Sequence, residues 1–427
     1  MDDSEDSPSF SALDLVFILA GLGTFLLDVG VDAWVVVGFF RDGDYVWAAT
    51  VLALILLCSG IMQVFSWCWF RQDQELLKET QNLPKLKTPG SLSKDRSLLL
   101  KWLHCLQLGF LVRYVAALEL GFQAYVSKDR SESGWVVYLI TDISLLRLFE
   151  TILESASQLA LMLYIILQKN QVAIYQYFTI VISFASIAWA MVDYHRYLRL
   201  SLSHKRELST LAALPYFLWN LLLISPRIVC VTLFATVFGG YVALHVLLVW
   251  LTMVFWAWEQ DTKFMNGSKG EWFYRGTVAV ILYFVWFNIS EGKTRIRQII
   301  YHAFIVVDCT ILLVSWWLHR DPVSSASYHA QLLAAIPGSY ALGLMMKGVY
   351  YRWFHPTLWV AQEPEGDETD SLQDSAPCFR SMARVPVPVN RRIKALSADM
   401  VCHQPQKKKR GKQRVEKAVE NSKEVSI

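Results

Sequence analysis

Ten long apolar segments restrict the fold of this chain more than any other feature of its sequence. They lie near residues 13–40, 45–70, 99–125, 136–168, 172–195, 211–236, 239–259, 272–290, 298–318 and 328–353. About 20 apolar residues in a helix cross the hydrocarbon core of a bilayer, and helices satisfy their own backbone hydrogen bonds there. The 17 Trp, 18 Tyr and 23 Phe agree with aromatic belts at two membrane interfaces. The sequence therefore predicts an all-α, polytopic, multi-pass membrane protein.

Basic loops predict which parts of the chain face the cytosol. Clusters of Lys and Arg occur in residues 71–96, 196–206 and 407–410. All three can be cytosolic only if two of the ten segments do not cross the membrane. We assign this re-entrant role to segment 136–168, which contains several charged residues, and to segment 272–290. The prediction is about eight transmembrane helices plus two re-entrant helices, with both termini in the cytosol.

Three aspartates inside the first apolar segment point in one direction. Asp14, Asp28 and Asp32 are separated by 14 and 4 residues, which at about 100° per residue corresponds to offsets of about −40° and +40° on a helix. The stripe from Asp14 to Asp32 is ~27 Å long, close to the thickness of the hydrocarbon core. A charge at the bilayer centre costs at least ~2.5 kcal/mol on insertion scales. The pattern therefore indicates a polar path across the membrane.

Charged residues of both signs occur in other apolar segments. Those with the most suggestive spacing are Arg147, Glu150, Glu154, Asp193, Arg196 and Arg227. A cation pathway would favour acids alone, whereas a phospholipid head group needs Arg for its phosphate and carboxylates for its ammonium. We predict that these residues line or brace a lipid path together with the three aspartates. The alternative is structural ion pairing between helices, for example between Asp193 and Arg196.

Several single residues carry narrower predictions. Trp47, at the outer end of the second segment, is either an interfacial anchor or an aromatic gate over the polar path. Arg227 follows Pro226 and is expected to reach a buried acid. His245 and His302 are expected to be core or interface residues.

Other function classes find no support in the sequence. The seven Cys and nine His show no zinc-site spacing, and no Gly-rich phosphate loop or hydrolase motif is present. We therefore expect no metal, no cofactor, no enzymatic reaction and no nucleic-acid partner.

The C-terminal region differs in composition from the rest. Three regions result: a cytosolic N-terminus (1–12), a transmembrane region (13–356) and a tail (357–427) that is expected to be disordered in the cytosol. The tail contains the sequence DETD from Asp367 to Asp370, followed by Ser371. This is the pattern that executioner caspases cut, and its setting in an exposed linker favours cleavage.

Six stretches of the chain resemble the XK-related family, the relatives of the Kx blood-group protein. They are FLLDVGVDAWVV (25–36), DISLLRLFETILESASQLAL (142–161), SIAWAMVDYHRYLR (186–199), YFLWNLLLISPR (216–227), EWFYRGTVAVILYFVWFNISEGKTR (271–295) and YYRWFHP (350–356). The resemblance covers roughly residues 13–356. It implies eight spans with two re-entrant helices, and phospholipid scrambling that exposes phosphatidylserine in apoptosis after caspase cleavage behind Asp370. It also implies a single-span immunoglobulin-like chaperone, basigin or neuroplastin, for delivery to the plasma membrane.

Two alternatives remain open from the residues themselves. The carboxylates could couple transport of an ion or amino acid, or the chain could be a structural membrane subunit of a partner protein. Neither requires lipid exchange, which separates both from a scramblase.

Overall fold

The computed structural model describes residues 12–80, 97–127, 130–169, 174–201, 208–262, 264–265, 267–289, 294–323, 325–326 and 328–354. Within these ranges all regular structure is helical, as predicted. The helices are α1 (Ala12–Arg41), α2 (Tyr45–Thr80), α3 (Ser97–Cys105), α4 (Gly109–Ser127), α5 (Arg130–Glu150), α6 (Ala156–Lys169), α7 (Ile174–Leu200), α8 (Thr210–Phe238), α9 (Tyr241–Glu259), α10 (Ser268–Phe284), α11 (Thr294–His319) and α12 (His329–Val349). Two π-helical turns, Thr151–Ser155 and Tyr350–Phe354, follow α5 and α12. The protein is an all-α polytopic membrane protein.

Seven of the described helices are long and apolar enough to cross a membrane: α1, α2, α7, α8, α9, α11 and α12. An eighth crossing is formed by α5 and α6 together, which the π turn Thr151–Ser155 joins without a reversal. We denote the side of the α1–α2 turn as the outer side and the side of the basic segment 196–206 as the inner side.

The α5–α6 segment runs the full thickness of the bundle, so the prediction that residues 136–168 fold back is wrong. Near the inner side, the Tyr138 hydroxyl donates to Asp73 Oδ1 at 2.6 Å, late in α2. Near the outer side, Lys169 Nζ lies 3.0 Å from Asp44 Oδ2 in the α1–α2 turn. The two contacts are therefore separated by nearly the same number of residues along α5–α6 as along α2, so both segments have nearly the same length across the bundle. The charges in this segment belong to a complete span.

The first re-entrant element is instead the α3–α4 hairpin, within the predicted segment 99–125. α3 rises beside α2, where His104 Nε2 lies 3.0 Å from Ser66 Oγ and Gln63 Nε2 donates to Gln107 O at 3.0 Å. Gln107 has φ 62°, a left-handed conformation that reverses the chain before Gly109 begins α4.

α4 then returns to the inner side, antiparallel to α1. Phe110 packs against Phe25 with ring centres 5.0 Å apart, and one turn later the Tyr114 ring lies against Gly21. Later residues of α4 therefore contact earlier residues of α1, so the two helices are antiparallel and α4 runs back to the inner side.

The second re-entrant element is α10, within the predicted segment 272–290. It rises antiparallel to α9, because Trp250 Nε1 donates to Gly276 O at 2.9 Å and the Tyr283 hydroxyl lies 3.2 Å from His245 Nδ1. After Phe284 the chain leaves the helical conformation and residues 285–289 return as irregular backbone. These residues are largely buried by protein, which is the condition for non-helical backbone at membrane depth.

The long helix α8 lies at the centre of the bundle and packs against α6, α7, α11 and α12. It contains Pro226, whose missing N–H leaves the carbonyl of Leu222 without its helical partner. Ser339 Oγ on α12 donates to that carbonyl at 3.0 Å. The approach of α12 is close, because a Cβ at Gly343 would lie 2.8 Å from Leu223 Cδ2. A small residue and a hydroxyl on α12 therefore accommodate the proline in α8.

Candidate functional site

The aspartate stripe of α1 lies beside charged residues of α5, of the π turn Thr151–Ser155 and of α7, and together they form a row from the inner to the outer side. At the inner end, Asp14 interacts electrostatically with Tyr197 of α7. One turn before Tyr197, Asp193 interacts with Arg147 and Arg196. The guanidinium carbon of Arg196 lies 5.3 Å from the ring centre of Phe17 on α1. Arg196 therefore reaches towards α1 as well as towards Asp193.

Arg147 is the central cation of this row. Its Nη2 lies 3.4 Å from Thr24 Oγ1 on α1, and its Nη1 lies 3.9 Å from Glu150 Oε2. Both distances are long for charge-assisted hydrogen bonds. Asp28 interacts electrostatically with Arg147 from the next turn of α1. Arg147 thus contacts both helices while part of its hydrogen-bonding capacity stays unused.

Towards the outer side, the row consists of carboxylates. Glu154 interacts electrostatically with Asp32 and accepts a hydrogen bond from Gln158 Nε2 at 3.3 Å. Glu150 interacts electrostatically with both Asp28 and Asp32. The π turn Thr151–Ser155 lies between the two glutamates, and π turns often occur at functional sites. α1 and the end of α5 with its π turn therefore bring four carboxylates together within about one helical turn along the membrane normal.

Aromatic and ionic contacts lie at the outer end of the row. Trp47 packs edge-on against Tyr164 of α6, with ring centres 5.9 Å apart, and the pair sits next to the Lys169–Asp44 ion pair. Trp47 is half-buried. This position fits both a gate and an interfacial anchor.

The row lies at the surface of the bundle rather than inside a closed pore. Only 6% of the span formed by α1 is buried, and Trp34 and Leu27 on α1 are 74% and 69% exposed. Asp28 and Asp32 are half-buried, whereas Glu150 and Glu154 are each 7% exposed. A polar strip is thus placed beside helix faces that contact lipid tails.

Arg227 does not belong to this row. It lies on α8 and forms an ion pair with Asp308 of α11, and its Nε donates to Tyr283 O at 3.0 Å. His245 Nε2 lies 3.1 Å from the other oxygen of Asp308. Arg227 reaches an acid as predicted, although Asp308 is half-buried rather than buried, and His245 is an interface residue as expected. The structure places this cluster between α8, α9, α10 and α11, away from α1.

A second closed network surrounds Arg113 on α4. Its Nη1 lies 3.4 Å from Asp142 and 3.7 Å from Asp73, and its Nε and Nη2 donate to Ser66. Arg113 is 1% exposed. The network joins α2, α4 and α5 and matches the structural ion pairing that the sequence left open as an alternative.

Sequence reasoning missed several neutral residues of the row: Thr24, Cys58, Tyr114, Gln158 and Tyr197. Thr24 and Gln158 could have been found, since each lies four residues from a predicted carboxylate. Tyr114 could not, because it comes from the re-entrant α4. His302 lies in a separate contact, between Tyr340 and Lys347. Asp367, Asp370 and Ser371 lie outside the described residues.

Metal binding finds no support in the described ranges, where His, Cys, Asp and Glu form no group of three or more suited to hold an ion.

Comparisons with known proteins identify the family of this chain. A family model described as XK-related protein matches residues 16–356. The chain is 45% identical to XK-related protein 8 of Tetraodon nigroviridis over 398 residues, which cover 92% of this chain and 96% of that protein. It is 45% identical to XK-related protein 8 of Gasterosteus aculeatus (87% and 91% covered) and 42% identical to that of Pan troglodytes (90% and 93% covered). The chain therefore belongs to the XK-related family.

Proposed function

We propose that this protein is an energy-independent phospholipid scramblase that exposes phosphatidylserine on the surface of apoptotic cells. The observation that carries the proposal is the row of charges from Asp14 to Asp32 on α1, completed by Arg147, Glu150 and Glu154. It combines both signs of charge, reaches across the membrane and lies beside lipid-facing surface. The relatives named XK-related protein 8 support membership of the same branch of the family.

The chemistry of the row suits a zwitterionic head group. Arg147 offers two N–H groups to a phosphate oxygen, and its present contacts at 3.4 and 3.9 Å are weak enough to exchange. The carboxylates of Asp28, Asp32 and Glu154 attract the ammonium group. Because the row is open to the membrane, the acyl chains stay in lipid while the head group moves. Lipids then move down their gradients in both directions, without hydrolysis of a nucleotide.

Activation is proposed to follow from caspase cleavage after Asp370. Phe354, near the inner end of α12, is the last described residue, and Asp367 comes 13 positions later in the sequence. We also propose the plasma membrane as the site of action, an executioner caspase as a partner, and a basigin- or neuroplastin-like chaperone for delivery.

Reconstitution tests the transport step directly. The full-length chain and residues 1–370 are placed in liposomes that contain fluorescent phospholipids, and dithionite bleaches the labels in the outer leaflet. In a vesicle without scrambling, dithionite bleaches only the half of the label that lies in the outer leaflet. We expect the 1–370 chain to raise the bleached fraction above one half, and the full-length chain to raise it much less. Bleaching that stops at one half for both chains would contradict the proposal.

Charge-neutralising variants test the path. Asp28→Asn with Asp32→Asn in the 1–370 chain is expected to slow scrambling, because two of the carboxylates are lost. Glu259→Gln is the matched control, since Glu259 is exposed at the inner end of α9, away from α1. If the double variant folds normally and scrambles as fast as the control, the aspartates have a structural role instead.

The same vesicles separate the alternatives. Release of an ion or amino acid without lipid exchange would indicate a transporter, and no activity from the purified chain would indicate a structural subunit. In cells, Asp370→Ala is expected to reduce annexin staining after an apoptotic stimulus while the amount of protein at the surface is unchanged. Equal staining would exclude cleavage at this position as the trigger.

A further inference from the structure

Two cysteines that the proposed lipid path does not use meet between α8 and α11. Arg227, one turn before Cys230 on α8, donates from Nη1 to Cys309 Sγ on α11 at 3.6 Å, and the two cysteines interact electrostatically with each other. Neither is in a disulfide. Nearly 80 residues of chain separate them in the sequence, so their proximity is a product of the fold.

The surroundings of Cys309 distinguish this pair from cysteines that only fill space. Arg227 Nη1 donates to Cys309 Sγ at 3.6 Å, and Arg227 is itself held by Asp308 and by Tyr283 O. A guanidinium next to a thiol stabilises the thiolate, which is the nucleophilic form. Ordinary membrane cysteines behave instead as small apolar side chains.

Of the two cysteines, only Cys309 keeps part of its surface at the side of the bundle, in the outer half of α11. Cys309 is half-buried, while Cys230 is completely buried behind it. Asp308 and His245, which border the cluster, keep 13% and 15% of their side-chain surface exposed. His245 is only four residues from the outer end of α9, or ~6 Å. Disulfides persist in the oxidising environments found outside the cytosol.

We propose that Cys230 and Cys309 are a redox-active dithiol that a hydroperoxide converts to a disulfide linking α8 to α11. The Cys309 thiolate attacks one oxygen of hydrogen peroxide, the O–O bond breaks, and the leaving hydroxide takes up the proton of the former thiol to give water and Cys309 sulfenic acid. The thiol of Cys230 then attacks the sulfenic sulfur, and its proton leaves with the hydroxyl group as a second water. Two thiols and one peroxide thus give one disulfide and two waters.

Mass spectrometry of the full-length protein in lipid nanodiscs tests the proposal. The protein is treated with hydrogen peroxide, remaining thiols are alkylated, and the digest is analysed with and without dithiothreitol. We expect a linked pair of peptides containing Cys230 and Cys309, lighter than the two reduced peptides by two hydrogens and separated by the reductant. Absence of this linked pair from folded, peroxide-treated protein overturns the proposal.

Cys58 serves as an internal control. It is also buried in the spans, but its charged neighbours are the carboxylates of Glu154, Glu150 and Asp32, with which it interacts electrostatically. These carboxylates disfavour a thiolate, so Cys309 should be oxidised on the order of tenfold faster than Cys58. Equal rates would overturn the role of Arg227.

Single substitutions separate the two chemical steps. In Cys230→Ser, the resolving thiol is absent, and dimedone should trap sulfenic acid at Cys309. In Cys309→Ser, Cys230 should stay reduced at the same peroxide dose. Oxidation of Cys230 in that variant at the wild-type rate would show that Cys309 is not the attacking residue.

Discussion

Asp308→Asn should lower the free energy of unfolding by more than the loss of one hydrogen bond would. Arg227 is completely buried and depends on this carboxylate as its only charged partner of opposite sign among the described residues. Asn preserves the shape of the side chain but leaves the guanidinium as a buried, uncompensated charge. Breaking a buried pair in this way costs about 3–5 kcal/mol. For a chain of 427 residues this corresponds to a fall in melting temperature of about 3–6 °C.

Thermal unfolding of the purified protein in detergent, followed by size-exclusion chromatography with fluorescence detection, measures this effect. Asp44→Asn is the matched control, because it removes the same charge from an ion pair with Lys169 in which the two side chains are 33% and 57% exposed. Such exposed pairs contribute about 0–1 kcal/mol, so the control should unfold within about 2 °C of the wild type.

The double variant Arg227→Met with Asp308→Leu extends the test. Replacing both partners by apolar side chains removes the buried charge altogether, and such replacements are often neutral or stabilising. It should therefore recover most of the stability that Asp308→Asn loses. The reasoning is refuted if Asp308→Asn is as stable as the Asp44→Asn control, or if the double variant is less stable than the single one.

Substitutions at three further positions test contacts between helices by the same unfolding assay. Gly109→Ala should lose about 1–3 kcal/mol, because its Cβ would lie 2.2 Å from His104 Cδ2; an unchanged melting temperature would contradict the tight turn before α4. Ser339→Ala should cost about 1–3 kcal/mol by leaving the Leu222 carbonyl buried without a donor, and Ser339→Thr should retain most of that stability. Gly343→Ala should cost about 1–3 kcal/mol through overpacking at the α8–α12 contact; no loss would mean that α12 can move away freely.

The number of spans and the re-entrant segment 272–290 could be predicted from the sequence, but the other re-entrant segment could not. The apolar run 99–125 looks like one helix, because the residues of the turn between α3 and α4 are themselves mostly apolar. Only Gln107, with its left-handed backbone, interrupts it. The charges in segment 136–168 led to the wrong prediction that this segment is re-entrant. They result from the row beside α1 and not from a reversal of the chain.

The direction of side chains was predictable within one helix and not between helices. The spacing of Asp28 and Asp32 placed both on one face, and Glu150 and Glu154 likewise, because helical geometry is local. Arg227 was grouped with them by residue type alone. Its partner Asp308 lies on α11, and nothing in a linear sequence indicates which of several buried acids a given arginine will meet.

Arg113 and Arg147 differ in how many of their N–H groups are used in close hydrogen bonds. This difference distinguishes residues that hold the bundle together from residues that can bind a ligand. Arg113 is 1% exposed and uses its guanidinium on Ser66, Asp73 and Asp142. Arg147 has 22% of its side chain exposed and only long contacts to Thr24 and Glu150. A residue that binds a passing phosphate must have donors to spare, whereas a residue that joins helices must not.

Arg113→Gln should therefore impair stability, whereas Arg147→Gln should impair lipid exchange. Arg113→Gln leaves Asp73 and Asp142 facing each other without their cation, so it should lower the melting temperature and the yield of folded protein. Arg147→Gln should leave the melting temperature within a few degrees of the wild type, because its contacts are weak, and should slow dithionite-accessible lipid exchange by the folded 1–370 chain. If Arg147→Gln unfolds as readily as Arg113→Gln, or if it folds and exchanges lipid at the unaltered rate, the assignment of Arg147 to the path is wrong.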